Sequence, residues 1–279
     1  MQVLTPFSAR LSSLPAALAV FAVAGVALFP GASQAQTAQQ YMNAACSNEL
    51  RQLNSRSLWA STSERRADGH LYIERTVETV DGDVREIVSV DGHPPTGPDK
   101  ARNDKVLQGL LSSARLRQEK HNHSLADHKT NADLLTAFPH MFLLEDRGTH
   151  NGTELIAFKP DPAYQPQGFE QRAIHEMTGT LRITKDTMRL AAIDARVAAA
   201  VQFGYGILGT LDQGGNVALE RTEIAPGIWK THHLKVDING RVALFKTFTR
   251  REEETRGDWR PLPPDTTILQ ALTLLGVHP

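Results

Sequence analysis

Residues 233–248 read HLKVDINGRVALFKTF, and how this stretch is read decides the fold. Leu234, Val236 and Ile238 alternate with His233, Lys235 and Asp237. Successive side chains of a strand point to opposite faces, so this period of two predicts a strand with one buried and one solvated face. Such one-sided burial is typical of antiparallel sheets. Asn239-Gly240 then reads as a tight hairpin turn between KVDI and RVALFKTF, because both residues accept positive φ cheaply. The same punctuation recurs upstream. Asp68-Gly69 parts LWASTSERR from HLYIERTVETV, Asp81-Gly82-Asp83 parts that run from VREIVSV, and Asn151-Gly152 joins HMFLLED to TELIAFK. Lys185-Asp186 separates TLRIT from MRLAAIDAR, and Gly214-Gly215 adds a further turn. Hairpins in succession make a meander.

Helical patterns interrupt it. Residues 38–54 suit a helix, and 98–136 form a helical block. Within the block Val106, Leu107, Leu110 and Leu111 recur at helical spacing and Leu116 continues the stripe. Leu125, Leu134 and Leu135 extend it beyond a polar, histidine-rich stretch. Pro160 to Pro166 reads as a stiff loop and 168–176 as a short helical turn. The run Arg250-Arg251-Glu252-Glu253-Glu254 reads as the frayed, solvated end of a strand. After Trp259, RPLPP ends the sheet, and the apolar tail TILQALTLL suits a helix or a strand equally. The class is therefore α+β: three strands, a helical pair, then about seven strands. A strongly curved, mostly antiparallel sheet of this size forms an open half-barrel that holds its helices inside the curve. The layout is a signal peptide at 1–35, one domain at 36–258 with its helical insertion at about 98–136, and a Pro-rich C-terminal tail at 259–279.

Residues 14–29, LPAALAVFAVAGVALF, are unbroken apolar sequence after Arg10, and no acidic residue precedes Glu49. The run is shorter than the ~20 residues of a spanning helix. Ser33-Gln34-Ala35 puts small residues at −3 and −1, so the reading is a secretory signal cleaved near Ala35, with a periplasmic or secreted mature chain. Thirty basic and 31 acidic residues give a net charge of −1, which offers nucleic acid no electrostatic attraction. The single cysteine, Cys46, cannot form an internal disulfide, so the fold needs a real hydrophobic core. Asn43-Ala44-Ala45-Cys46 departs from a lipobox, with Asn where Leu is usual and the cysteine far beyond the apolar run.

GYGILG, residues 204–209, fits G-x-G-x-x-G, yet a turn and another β-like run follow where a dinucleotide site requires a helix. The glycines read as relief of crowding in a bent strand, so neither nucleotide nor other cofactor is expected. His121, His123 and His128 cluster with Asp127 in KHNHSLADHK, and on a helix His123 and Asp127 share a face able to hold zinc or copper. The stretch is polar all round, as a solvated helix end is. It supports the alternative reading, a periplasmic metal-binding protein or hydrolase using His121, His123 and His128. Against catalysis, H-E-x-x-H and G-x-S-x-G are absent, His232-His233 point to opposite faces, and His175-Glu176 has no evident partner. A transmembrane barrel is disfavoured because LYIERTVETV and WKTHHLKVDI lack an apolar band for lipid.

An N-terminal helix after a signal peptide, a long antiparallel meander and an inserted helical pair together resemble the LolA/LolB-like proteins across residues 38–255. Those are bacterial lipoprotein carriers whose open half-barrel, closed by helices, shields acyl chains. The chain is also similar to uncharacterised secreted bacterial proteins thought to share that fold, in three places. These are Val90-Asp91-Gly92-His93-Pro94-Pro95, then Phe158-Lys159-Pro160-Asp161-Pro162 with Pro166, and then Gly179-Thr180-Leu181-Arg182-Ile183 leading to FGYGILG and Trp229. The resemblance implies a soluble, non-enzymatic cell-envelope protein that binds a lipid, an acyl chain or a lipoprotein. An envelope protein and transient membrane contact are the further partners it implies. The candidate cavity-lining residues are strand aromatics, Phe158, Phe203, Tyr205, Trp229, Phe245 and Phe248. The competing reading is that they fill the space between sheet and helices.

Overall fold

A computed structural model describes residues 30–55, 57–203, 209–242 and 246–278. The apolar run at 14–29, residues 204–208 with Tyr205, and Phe245 lie outside them. After helix α1 (Pro30–Leu53), three strands form the first meander: β1 (Trp59–Ala67), β2 (His70–Val77) and β3 (Val84–Val90). Helices α2 (Gly97–Ser112) and α3 (Ala114–Met141) follow. The second meander holds β4 (Phe142–His150), β5 (Thr153–Pro160), β6 (Met177–Thr184), β7 (Leu190–Val197), β8 (Val201–Phe203), β9 (Gly209–Leu211), β10 (Asn216–Ala225), β11 (Ile228–Val242) and β12 (Lys246–Pro261). Helix α4 (Gly168–His175) lies between β5 and β6, and α5 (Ile268–Leu274) closes the chain.

All described strands join one sheet, ordered β3-β2-β1-β12-β11-β10-β7-β6-β5-β4, with β8 on β9 and β9 on β11. Every pairing is antiparallel, and the first meander joins the second through β1 and β12. The edges β3 and β4 stay apart, so the sheet is open. Helix α3 carries the chain from one edge to the other. Its His121 Nδ1 lies 2.9 Å from Asp81 Oδ1 in the β2–β3 turn, and its C-terminus runs directly into β4. The helix covers ~30 Å between those points at 1.5 Å per residue. Ten strands laid flat at ~4.8 Å spacing would span ~43 Å. The helix is the chord and the sheet the longer arc beneath it.

The covered face changes character across the sheet. Over β5–β7 it is apolar: Ile156, Phe158, Leu181 and Ile183 are buried together with Ala38, Met42 and Ala45 of α1 and Met141 of α3. Over β1, β2 and β12 it is ionic. Glu74, 2% exposed, is held by Arg65 at 2.7 Å and Arg85 at 2.9 Å.

Four readings of the sequence are corrected here. Asn239-Gly240 is no turn, since β11 runs through it with Asn239 opposite Thr249 and Gly240 opposite Phe248. The pairing of β11 with β12 continues to Val242, whose partner is Lys246. Arg250–Glu254 is no frayed end. It occupies the middle of β12 between β1 and β11, with Glu254 buried. Burial pushes the Glu254 carboxyl up, but the hydrogen bond and charge of Arg256, with Arg85, outweigh it and hold it below its ordinary value. Nine strands follow the helical pair where about seven were expected, because β8 and β9 are three-residue strands. The division at 258/259 falls inside β12, and the tail beyond it forms α5. Thr267 and Gln270 close a capping box at its start, and Ile268, Ala271 and Leu272 pack against Val77, Val84, Leu107 and Leu110.

Candidate functional site

Helix α1 is set on the sheet by a stripe at positions 38, 42, 45 and 49, the a/d spacing of a buried helix face. Ala38, Met42 and Ala45 enter the aliphatic core. At Glu49 the stripe becomes ionic. The Glu49 carboxylate, 8% exposed, meets two guanidiniums: Arg189 Nε at 3.2 Å and Arg221, which pairs with its second oxygen. One turn on, Gln52 takes the place of a strand neighbour. Its Oε1 accepts from Trp229 N at 2.9 Å and its Nε2 donates to Trp229 O. Asn48 donates to the carbonyls of Thr187 and Met188 at 3.0 and 2.8 Å. The C-terminal half of α1 is thereby bound to the sheet through polar groups and does not pack down on it.

Beneath this clamp lies a cavity of about 680 Å³, walled by α1, α3, β7, β10 and β11. Seven aliphatic side chains line it: Leu53, Leu58, Leu134, Leu135, Leu190, Leu219 and Ile228. None of the seven is fully buried, whereas Leu181 and Ile183 on the same sheet are 0–1% exposed. Two ionic groups face the cavity. One is Glu49 with Arg221. The other is Glu78 with Lys230, whose Nζ is 2.7 Å from both carboxylate oxygens. Burial pushes the Glu78 carboxyl up; Lys230 opposes this, and the balance leaves it above its ordinary value.

The residues singled out in the sequence fall in different places. Phe158, 3% exposed, packs with Phe142 at 4.9 Å and Phe138 at 6.1 Å, in the core beyond the cavity. Trp229 gives its backbone to Gln52, and its neighbours Ile228 and Lys230 line the cavity. Phe203 and Phe248 have their backbones in β8 and β12, with side chains outside the description, as are Tyr205 and Phe245. Gly209, the last glycine of GYGILG, opens strand β9. His121 is engaged by Asp81. His123, Asp127 and His128 border a second cleft between α2 and α3, of about 1040 Å³, which shares Leu53, Asp83 and Asn131 with the first cavity. Among the described residues no three His, Cys, Asp or Glu side chains are grouped to hold a metal ion. His175 is buried, its Nε2 3.0 Å from the Asp161 carbonyl. Cys46 is buried 3.9 Å from Met42 Sδ, and burial, with Glu49 nearby, pushes its thiol up to about 12. Among the described residues no helix is long and apolar enough to cross a membrane.

Fold and site define an α+β protein with an open antiparallel sheet, its covered face holding a lined cavity. Comparison with protein-family models gives no match, and comparison with curated proteins gives none. Among solved structures the chain is similar to a DUF1329 family protein from Desulfovibrio piger, at 9% identity, over 82% of this chain and 93% of that one, with a TM-score of 0.29. A likeness of that degree carries no argument about ligand or activity.

Proposed function

We propose that this protein is a non-enzymatic carrier of the LolA/LolB-like kind that shelters an aliphatic chain of a lipid or lipoprotein in the cavity under α1 and α3. The supporting observation is the seven Leu and Ile side chains left partly exposed around that cavity. Its volume lies in the ~300–1,000 Å³ range of small-molecule sites. Ten buried methylenes would contribute ~8 kcal/mol before ordering costs. In this reading residues 1–35 are removed near Ala35, and the carrier works in the periplasm with transient membrane contact.

The test is native mass spectrometry of protein purified from the periplasm without detergent, with lipid extraction of the same sample. Adducts of lipid mass are expected, and Leu219→Trp, which fills the cavity, removes them. A bare polypeptide mass, even after incubation with phospholipid or an acylated peptide, refutes the proposal.

A further inference from the structure

The buried cluster at the cavity wall has one positive charge too many. Arg189 is 8% exposed, the Arg221 side chain 11%, and they share the single carboxylate of Glu49. Among the described residues no other acid forms an ion pair with either guanidinium. Glu78 is taken by Lys230. Glu220 is exposed and paired with Arg182, and Glu223 is exposed and accepts from Gly227 N in the β10–β11 turn. Asp83 is exposed on the cavity rim. Arg51 is exposed and donates to Asn48, so it adds positive charge nearby. The other partners of Arg189, the Gln52 side chain and the Asn48 carbonyl, are neutral. Buried charges are ordinarily matched, because an unmatched one loses its hydration without return. Burial lowers the Arg189 pKa; Glu49 and, more weakly, the exposed Glu223 oppose this, while Arg221 and Arg51 depress it further, so the balance leaves it below its ordinary value. Arg221 is the member that lines the cavity. It spends one N–H on Glu49 and one on Trp229 O at 2.9 Å, out of the five a guanidinium offers.

We infer that the ligand is an amphiphile with an anionic head, a carboxylate or phosphate, which Arg221 receives inside the cavity while Leu134, Leu135, Leu190 and Leu219 take its chain. A second carboxylate would turn the two-cation, one-anion cluster into a balanced set, and a planar guanidinium suits either oxyanion. The inference rests on the carrier reading and sharpens it from any acyl chain to an acidic one.

Calorimetric titration of the full mature protein with twelve-carbon probes below their micelle concentrations separates the two. The probes are dodecanoate, dodecyl phosphate, dodecanol and dodecyltrimethylammonium. Either anion should bind at least tenfold more tightly than dodecanol, and the cationic probe most weakly. Which anion is preferred tells a free fatty acid from a phosphate head. In Arg221→Gln the anions should lose about tenfold while dodecanol stays within about twofold. Equal binding of all four to the wild-type protein overturns the anionic head and leaves the carrier reading standing. Selectivity that survives in Arg221→Gln overturns the assignment to Arg221. No binding of any probe removes the carrier reading and the inference with it. The wild-type comparison decides the matter even if the variant folds poorly.

Discussion

The charge count at Glu49 makes an asymmetric prediction about stability. Removing one partner of a buried ion pair costs ~3–5 kcal/mol, because the other charge is left without compensation. Glu49→Gln leaves two guanidiniums in that condition, each about one-tenth exposed, so the upper half of the range applies, ~4–5 kcal/mol. Arg221→Gln does something different. It leaves Glu49 and Arg189 as a one-to-one pair. Lost are a hydrogen bond to Trp229 O and a charge-assisted one to Glu49, together ~2–4 kcal/mol. Relief of repulsion between the guanidiniums offsets part of this, leaving ~1–2 kcal/mol. The assay is urea unfolding followed by the fluorescence of the three tryptophans. With a slope of ~3 kcal/mol per molar, the midpoint should fall by ~1.5 M in Glu49→Gln and ~0.5 M in Arg221→Gln. If Arg221→Gln costs as much as Glu49→Gln, the cluster is not cation-rich and the reasoning about a missing anion fails.

Other perturbations probe the frame around the site. In β6 a Cβ on Gly179 would lie 1.9 Å from the Asp194 carbonyl oxygen and 2.8 Å from Ala195 Cα. Backbone cannot yield cheaply there, so Gly179→Ala should cost ~3 kcal/mol or more in the same urea assay, and a loss under 1 kcal/mol would contradict the β6–β7 approach. With its thiol at about 12 and its side chain buried, Cys46 should resist maleimide at neutral pH in the native protein and react fully in denaturant. Rapid native labelling would mean that α1 does not rest on the sheet as described. His70 donates to Asp91 across 2.7 Å, and that bond and charge raise its pKa, so its contribution is complete below the ordinary histidine value and is lost as pH rises through the raised one. The melting temperature of the wild-type protein, less that of His70→Gln, should therefore decline as pH rises from below the ordinary histidine value through the raised one. A flat difference would remove the pairing.

Turns were legible at several places where the chain needs positive φ, though not at Gly227 between β10 and β11. Asp68 and Gly69 have φ of 53° and 85°, and Asn151 and Gly152 have 49° and 75°, as the dipeptides suggested. Asn239-Gly240 carries the same local preference and does not act on it. Gly240 faces Phe248 of β12 on one side and Leu211 of β9 on the other. A reversal there would leave both neighbours without a ladder, and ladder pairs on two flanks outweigh a dipeptide preference. The alternation of Leu234 and Val236 was legible because it belongs to the strand itself. Its continuation past Gly240 depends on β9, which no local pattern announces. The helical end of the chain was decidable from Thr267-x-x-Gln270, a spacing that favours a helix start over a strand.

The cavity was hidden for a different reason. Of the aromatic candidates, Phe158 packs with Phe142 and Phe138 at 4.9 and 6.1 Å and borders a separate pocket of about 760 Å³ across β4–β7 and β10, while Trp229 meets the cavity under α1 through its neighbours Ile228 and Lys230. The apolar part of the lining is leucine and isoleucine, which in a sequence look like any other core residues. What sets them apart is what they fail to touch, and that is a property of the assembled fold. The charge cluster is equally dispersed, with Arg189 lying 140 residues from Glu49 and brought to it only by the docking of α1. Docking explains why the space persists. Glu49, Gln52 and Asn48 hold the end of α1 on the strands by hydrogen bonds of fixed length, so the helix cannot sink into the gap beneath it. An apolar helix face in the same place would collapse onto Leu190 and Leu219 and close it. The polar clamp and the aliphatic void are parts of one arrangement, in which the side chains that keep the cavity open also supply its charge.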